Sequence, residues 1–197
     1  GNLGIIHQLQ GRLDEAERLL RRQEVIGREL GDRYMLGSAW MNLCLVEMAR
    51  GNFEKALVLS DSARRAFERI RDRAGVSYAS AMSGNLLAFL GRLDDALEKL
   101  SEAIALGREC QLGFYLADYL LHNSWVLIQA GGFSKALEAA RESMDLSRRL
   151  SRIDCLRRAE MAVLAAEAKS GGELDSARLE QLAEEAEEDG TRALAHF

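Results

Sequence analysis

Three histidines (His7, His122, His196) and three cysteines (Cys44, Cys110, Cys155) are the residues that could carry nucleophilic or metal chemistry. A helical metal site needs two such ligands three or four positions apart, or a CxxC pair, so that both donors reach one face. No histidine here has such a neighbour, and the cysteines are scattered. They read as small buried hydrophobes of a reducing compartment. Asp118 precedes His122 by four residues, so one helical face can carry both. The expected role is a satisfied pair on a surface or in a groove, not a general base. Phosphate-loop, GxSxG and HExxH patterns are missing from the sequence. "AGG" at 130–132 and "SGG" at 170–172 read as turns between helices, and "EEAEED" at 184–189 as a solvated face. The chain is therefore expected to have no catalytic residue, no cofactor and no metal, and not to be an enzyme.

The elements that hold these residues are written in the composition. Of 197 residues 48% are apolar, none is Pro, and helix formers dominate, so a core can be buried among helices. The net charge is −5 with no basic block, which argues against nucleic acid. No apolar run approaches the roughly 20 residues that span a bilayer, and no signal-peptide pattern opens the chain. A cytoplasmic location is expected, with no membrane contact.

One pattern organises the whole length. Gly11, Gly51, Gly91 and Gly131 are 40 residues apart, and a fifth copy, "GELDSA", is read from Gly172, one residue late. Leu13, Phe53, Leu93, Phe133 and Leu174 follow these glycines, and then Ala16, Ala56, Ala96, Ala136 and Ala177. Seven before each Gly stand Gly4, Cys44, Gly84, Ser124 and Ala165, all small; nineteen after the first four stand Leu30, Ile70, Cys110 and Leu150, all apolar. A Gly between two helical stretches suits a helix C-cap, where positive φ costs it little. Each copy is thus a helical hairpin whose small positions let two backbones meet closely. One hairpin cannot bury its apolar face, so copies must stack.

These residues resemble tetratricopeptide repeats (TPR). The second copy carries the family pattern best, with Trp40, Asn42, Leu43, Cys44 where Gly is usual, Gly51, Phe53 and Ala56. The third copy has Ser80 and Ser83 at the Trp and Leu positions, and the fourth has Leu120 at the Trp position. The resemblance implies an all-α fold, a right-handed superhelical solenoid of stacked antiparallel helix pairs. The 40-residue length, against the commoner 34, implies helices about a turn longer. Such repeats are similar to those of kinesin light chains and of bacterial STAND-type regulators. The expected organisation is one solenoid over 1–197. Its repeats are 1–30 (lacking its N-terminal part), 31–70, 71–110, 111–150 and a divergent capping repeat 151–189, with 190–197 starting a further helix or tail. "GNLGIIHQLQ" matches only the second half of a first helix, so the chain is expected to be a piece of a longer protein.

In this family the first helix of each pair lines a groove where partners bind. Transfer of those positions implies Ser38, Met41, Asn42, Leu45 and Met48; Tyr78, Met82, Asn85 and Phe89; and Asp118, Leu121, His122, Trp125 and Ile128. The set is rich in Met and aromatics, which adapt to apolar segments, and almost free of the cations that clamp a C-terminal carboxylate. The resemblance therefore implies a scaffold that binds an apolar or amphipathic protein segment in its groove. Two alternatives stand beside it: the small-molecule-sensing arm of a STAND-type regulator, and a self-associating array. A homodimer through the open N-terminal end is a further expectation, with Leu19, Leu20 and Ile26 left uncovered.

Overall fold

A computed structural model describes residues 13–171 together with 177–178, 181–182 and 184. Among them are eight helices and no strand: α1 (Leu13–Leu30), α2 (Arg33–Ala49), α3 (Phe53–Arg69), α4 (Arg73–Phe89), α5 (Leu93–Glu109), α6 (Gly113–Gln129), α7 (Phe133–Arg149) and α8 (Ile153–Lys169). From α2 onward each has 17 residues. That is nearly five turns, about 25 Å. The helices alternate in character for a physical reason. Second helices such as "FEKALVLSDSARRAFER" place apolar or small residues three and four apart, and bury one stripe: Ala56, Leu59, Ser60, Ala63, Ala66 and Phe67. First helices such as "RYMLGSAWMNLCLVEMA" are apolar nearly all round, and α2 buries nine residues. A helix covered on several sides has no need of a polar face.

The turns repeat every 20 residues rather than every 40. Gly31, Gly51, Arg71, Gly91, Gln111, Gly131, Ser151 and Gly171 all have positive φ. At Gly51 the amide of Asn52 donates to the Glu47 carbonyl (2.9 Å) and that of Gly51 to the Met48 carbonyl (2.9 Å), the paired bonds of a Schellman cap. The same pair closes α3, with Asp72 donating to Phe67 and Arg71 to Glu68, both at 3.0 Å. The left-handed position after α3 is held by Arg71. Asp32 and Asp72 then cap the helices that follow, accepting from the Met35 and Gly75 amides at 2.9 Å. Gly171 keeps strict phase with Gly131, which corrects the expected fifth start at Gly172. In that phase the small position of the last copy is not Ala165 but half-buried Leu164. The expectations for His7, His196, the acidic run from 185 onward and 190–197 lie outside the described residues.

The chain divides between Cys110 and Gln111, at one of the expected repeat boundaries, into two compact units. In the first, α1 packs on α2, α2 on α3, α3 on α4 and α4 on α5, so the second helix α3 sits between the first helices α2 and α4. Its core gathers Met41, Leu43, Cys44 and Leu45 of α2, Ala56, Leu59, Ala63 and Phe67 of α3, and Val76, Ala79, Met82 and Leu86 of α4. In the second, α7 lies against both α6 and α8, around Ala117, Leu121, Ala140, Cys155, Ala159 and Ala162.

Candidate functional site

In the first unit the expected groove residues come from α2 and α4. Met41, Leu45 and Met82 are buried within the core cluster, which corrects their assignment as exposed lining. The cause is helix length and register. Positions 41, 45 and 82 pack into the core that α2 and α4 share with α3, so neighbouring side chains cover them. Asn42, Met48, Tyr78 and Asn85 are half-buried beside that stripe, and Met48 and Tyr78 pack directly on the core. Phe89 is 42% exposed and stacks on Phe53 with ring centroids 5.1 Å apart and planes at 3°. The Asn42 and Asn85 amides make no hydrogen bond within the described protein. The α2–α4 face is therefore an apolar floor with two free amides and an aromatic edge. A separate cleft of about 290 Å³ lies at the α3–α4 turn, lined by Glu68, Arg71, Arg73, Val76 and Leu106. Two of its charges are engaged: Glu68 pairs with Arg64, and Arg73 with Glu109.

The second unit distributes its residues differently. Leu121 is fully buried, again a correction, while His122, Trp125 and Ile128 are half-buried on α6. Trp125 packs against the core. Asp118 does not pair with His122. Both of its oxygens accept from Arg152, at 2.7 and 3.2 Å. The Arg152 guanidinium also lies 4.0 Å over the Phe114 ring and donates to the Phe114 carbonyl. Arg152 stands at the N-cap position that Asp32 and Asp72 fill in earlier copies, and from there it ties α8 to α6. Burial pushes the His122 imidazole down to about 4; the Arg158 charge adds to this and Asp118 opposes it. The ring is neutral at physiological pH.

Cys44 and Cys155 are buried, and Cys110 is half-buried. Burial pushes the Cys44 thiol up to about 12, so it carries no thiolate chemistry. Among the described residues no three His, Cys, Asp or Glu side chains gather as a metal site, and no helix is long and apolar enough to cross a membrane.

Two buried carboxylates were not singled out from sequence. Glu47 is fully buried, yet receives Arg50 (3.1 Å), Asn52 (2.9 Å) and Lys55 (2.8 Å). Burial raises its carboxyl, but the bonds from Lys55 and Asn52 and the charges of Lys55 and Arg50 outweigh that and hold it below the ordinary range. Arg50 continues to Asp14 and Glu17 and so fastens α1 to α2. Glu24 accepts from Trp40 Nε1 at 2.8 Å and from Arg21 and Arg28. A polar residue inside an apolar helix, as in "LCLVEMA", was the available signal. On α1, Leu19 is 57% and Ile26 38% exposed, while Leu59, the equivalent of Leu19 one repeat on, is 8% exposed. Leu20 is half-buried against the core cluster rather than left uncovered as expected.

Family models described as tetratricopeptide repeat match residues 35–109 and 1–22. No curated protein matches the chain in sequence. Among solved structures, BtubC (BKLC) from P. vanneervenii is similar with a TM-score of 0.78 and 15% identity, over 99% of this chain and 80% of that one. The nearly identical TPR-like repeats of a Podosopora anserina putative kinesin light chain are similar in two crystal structures. One, of a single-substitution variant, has a TM-score of 0.73 and 15% identity over 96% of this chain and 93% of that one. The other has a TM-score of 0.69 and 13% identity over 98% and 94%. At such identities the likeness concerns the fold, an all-α solenoid of stacked helix pairs, as the repeat had implied. Residues 1–22 and 35–109 are thus tetratricopeptide repeats by family model, and positive-φ turns recur every 20 residues from Gly31 to Gly171.

Proposed function

We propose that this protein is an interaction scaffold whose first-helix faces bind an amphipathic protein segment, as a helix laid into a groove. Tetratricopeptide repeats serve protein–protein interaction; the choice of segment is the finer claim. The observation that carries it is the α2–α4 face. Met48, Tyr78 and Phe89 offer apolar surface there, while the Asn42 and Asn85 amides have no partner within the described protein. Unmatched amides beside apolar surface suit a peptide, which brings both side chains and backbone polar groups. The buried Met41, Leu45 and Met82 act in this reading as the rigid floor, not as contacts.

The test is capture of a fluorescein-labelled amphipathic helical peptide by fluorescence anisotropy. Phe89→Asp and Asn85→Ala should each weaken binding while circular dichroism stays unchanged. Native affinity in the Phe89→Asp protein would remove this face from consideration.

A further inference from the structure

The first unit has two sets of turns, and their cations differ. At the turns from first to second helices, Arg50 is held by Asp14, Glu17 and Glu47, Lys55 by Glu47, and Arg92 by Asp95. At the turns from second to first helices, α1–α2 and α3–α4, Arg28 and Arg73 are matched by Glu24 and Glu109. Arg33, Arg69 and Arg71 of the same edge are exposed, and among the described residues they have no ion pair or side-chain hydrogen bond. Glu29 is an unpaired acid there, while Asp32 and Asp72 are occupied with helix caps. Arg69, in the last turn of α3, suits the negative end of that helix. The other two stand where local physics disfavours them. Arg33 is the first residue of α2, at the positive end of the helix dipole, with only the capping Asp32 to offset it. Arg71 holds the left-handed conformation (φ 57°) that Gly31 supplies one repeat earlier, and a residue with a Cβ is strained there. Cations kept against local preference, without an internal partner, point to a contact outside the chain.

Apolar surface lies among these cations. Leu30, Tyr34 and Ile70 are exposed. The Tyr34 ring meets Phe67 edge-on with centroids 6.1 Å apart, and Phe67 in turn packs against Gly37 of α2 and Gly75 of α4. The start of α2, the end of α3 and the start of α4 thus gather about one ring. The cleft of about 290 Å³ opens at this turn, with Val76 and Leu106 as its apolar lining. Since its Glu68 is paired with Arg64 and its Arg73 with Glu109, Arg71 is the uncompensated charge of that lining. Aromatic and aliphatic side chains interleaved with unpaired guanidiniums shed water at the apolar points and attract opposite charge between them.

We propose that this edge of the first unit docks an acidic protein segment, whose carboxylates pair with Arg33, Arg69 and Arg71 and one of whose apolar side chains enters the cleft. The contact goes beyond the groove reading and does not depend on it. The chain's net charge of −5 opposes a long phosphate backbone or an anionic bilayer, whereas a short acidic segment meets this edge alone.

The experiment measures the fluorescence anisotropy of a fluorescein-labelled peptide of repeating Glu-Asp-Leu units against the whole chain. Binding is expected that weakens as salt rises, with none for the matching Gln-Asn-Leu peptide. Arg33→Gln and Arg71→Gly should each weaken binding roughly threefold, as for an exposed ion pair, and together roughly tenfold. Arg71→Lys should retain part of it. Arg71→Gly also relieves the left-handed turn, so its thermal midpoint should hold or rise while binding falls. A merely structural arginine would not show that split. Equal binding of the two peptides, native affinity in the Arg33→Gln/Arg71→Gly protein, or tighter binding of phosphatidylserine vesicles would each overturn the proposal. Loss of the Glu-Asp-Leu peptide in Phe89→Asp would overturn it too, since that places the peptide on the α2–α4 face. Failure of the groove reading is separate: it is read from the amphipathic helical peptide, which the arginine variants should leave bound.

Discussion

Replacing Gly84 by Ala should destabilise the protein by an amount set by one contact. A Cβ at Gly84 would lie 2.7 Å from Leu100 Cγ and 3.1 Å from the Ala96 carbonyl oxygen. Leu100 is fully buried, and its Cγ is one bond from Cβ, so it cannot swing aside. Overpacking of this kind costs about 1–3 kcal/mol. The helix propensity of Ala over Gly returns about 1 kcal/mol. The net expectation is a loss of up to about 2 kcal/mol, with Gly84→Leu worse. The 40-residue offset shows how the other copies tolerate a side chain here: opposite Cys44 stands Ser60, and opposite Ser124 stands Ala140. A larger residue on one helix accompanies a smaller one on its partner. Leu100→Ala alone should cost about 2–5 kcal/mol. In the Gly84→Ala/Leu100→Ala double variant the overpacking vanishes, so the two changes should couple favourably by about 2 kcal/mol. Urea denaturation followed by circular dichroism, with midpoints and slopes for all four proteins, closes the cycle. Losses that add to within about 0.5 kcal/mol would refute the close approach of α4 and α5 at this point.

The left-handed turns give a second pair of outcomes. Gly131→Ala should cost about 1 kcal/mol, whereas Ser151→Gly should be neutral or stabilising by less than about 1 kcal/mol, both read from thermal midpoints. The His122 imidazole has a folded pKa of about 4 against about 6.5 unfolded, so the unfolded chain takes up the proton first. Its contribution is complete above about pH 6.5 and is lost as pH falls from about 6.5 toward about 4. Because the ring is only half-buried, on the order of 1 kcal/mol is expected, measured as the difference in pH profile between wild type and His122→Gln. The exposed Leu19 and Ile26 should make the chain self-associate, and Leu19→Asp should return it to a monomer in light scattering. A wild-type monomer near 21.9 kDa at high micromolar concentration would refute that.

Much of the fold was legible because repeats convert a weak local signal into a strong periodic one. Gly51, Gly91 and Gly131 mark left-handed caps, and no other residue suits that conformation so well. Gly at 40-residue intervals therefore located half of the turns. The other half were less visible, since Arg71, Gln111 and Ser151 adopt the same conformation without the residue type that announces it. Their signal was indirect, in apolar Ile70, Cys110 and Leu150 just before and in the capping Asp72 after.

The candidate site was legible only as a set of positions. Sequence placed Met41, Leu45, Met48, Met82 and Phe89 along one stripe of each first helix, because a helix fixes which side chains share a face. It could not say which of them neighbouring helices would cover. Packing left Phe89 exposed near the end of α4 and sealed Met41, Leu45 and Met82 in the core. Partner choice was equally invisible along the chain. Asp118 had His122 as its helical neighbour, yet packing of α8 on α6 brought Arg152, 34 residues on, to both of its oxygens. Helix type, turn and phase are local properties that a sequence determines by itself. Burial and charge pairing depend on what other helices bring near, and those were decided by the tertiary structure.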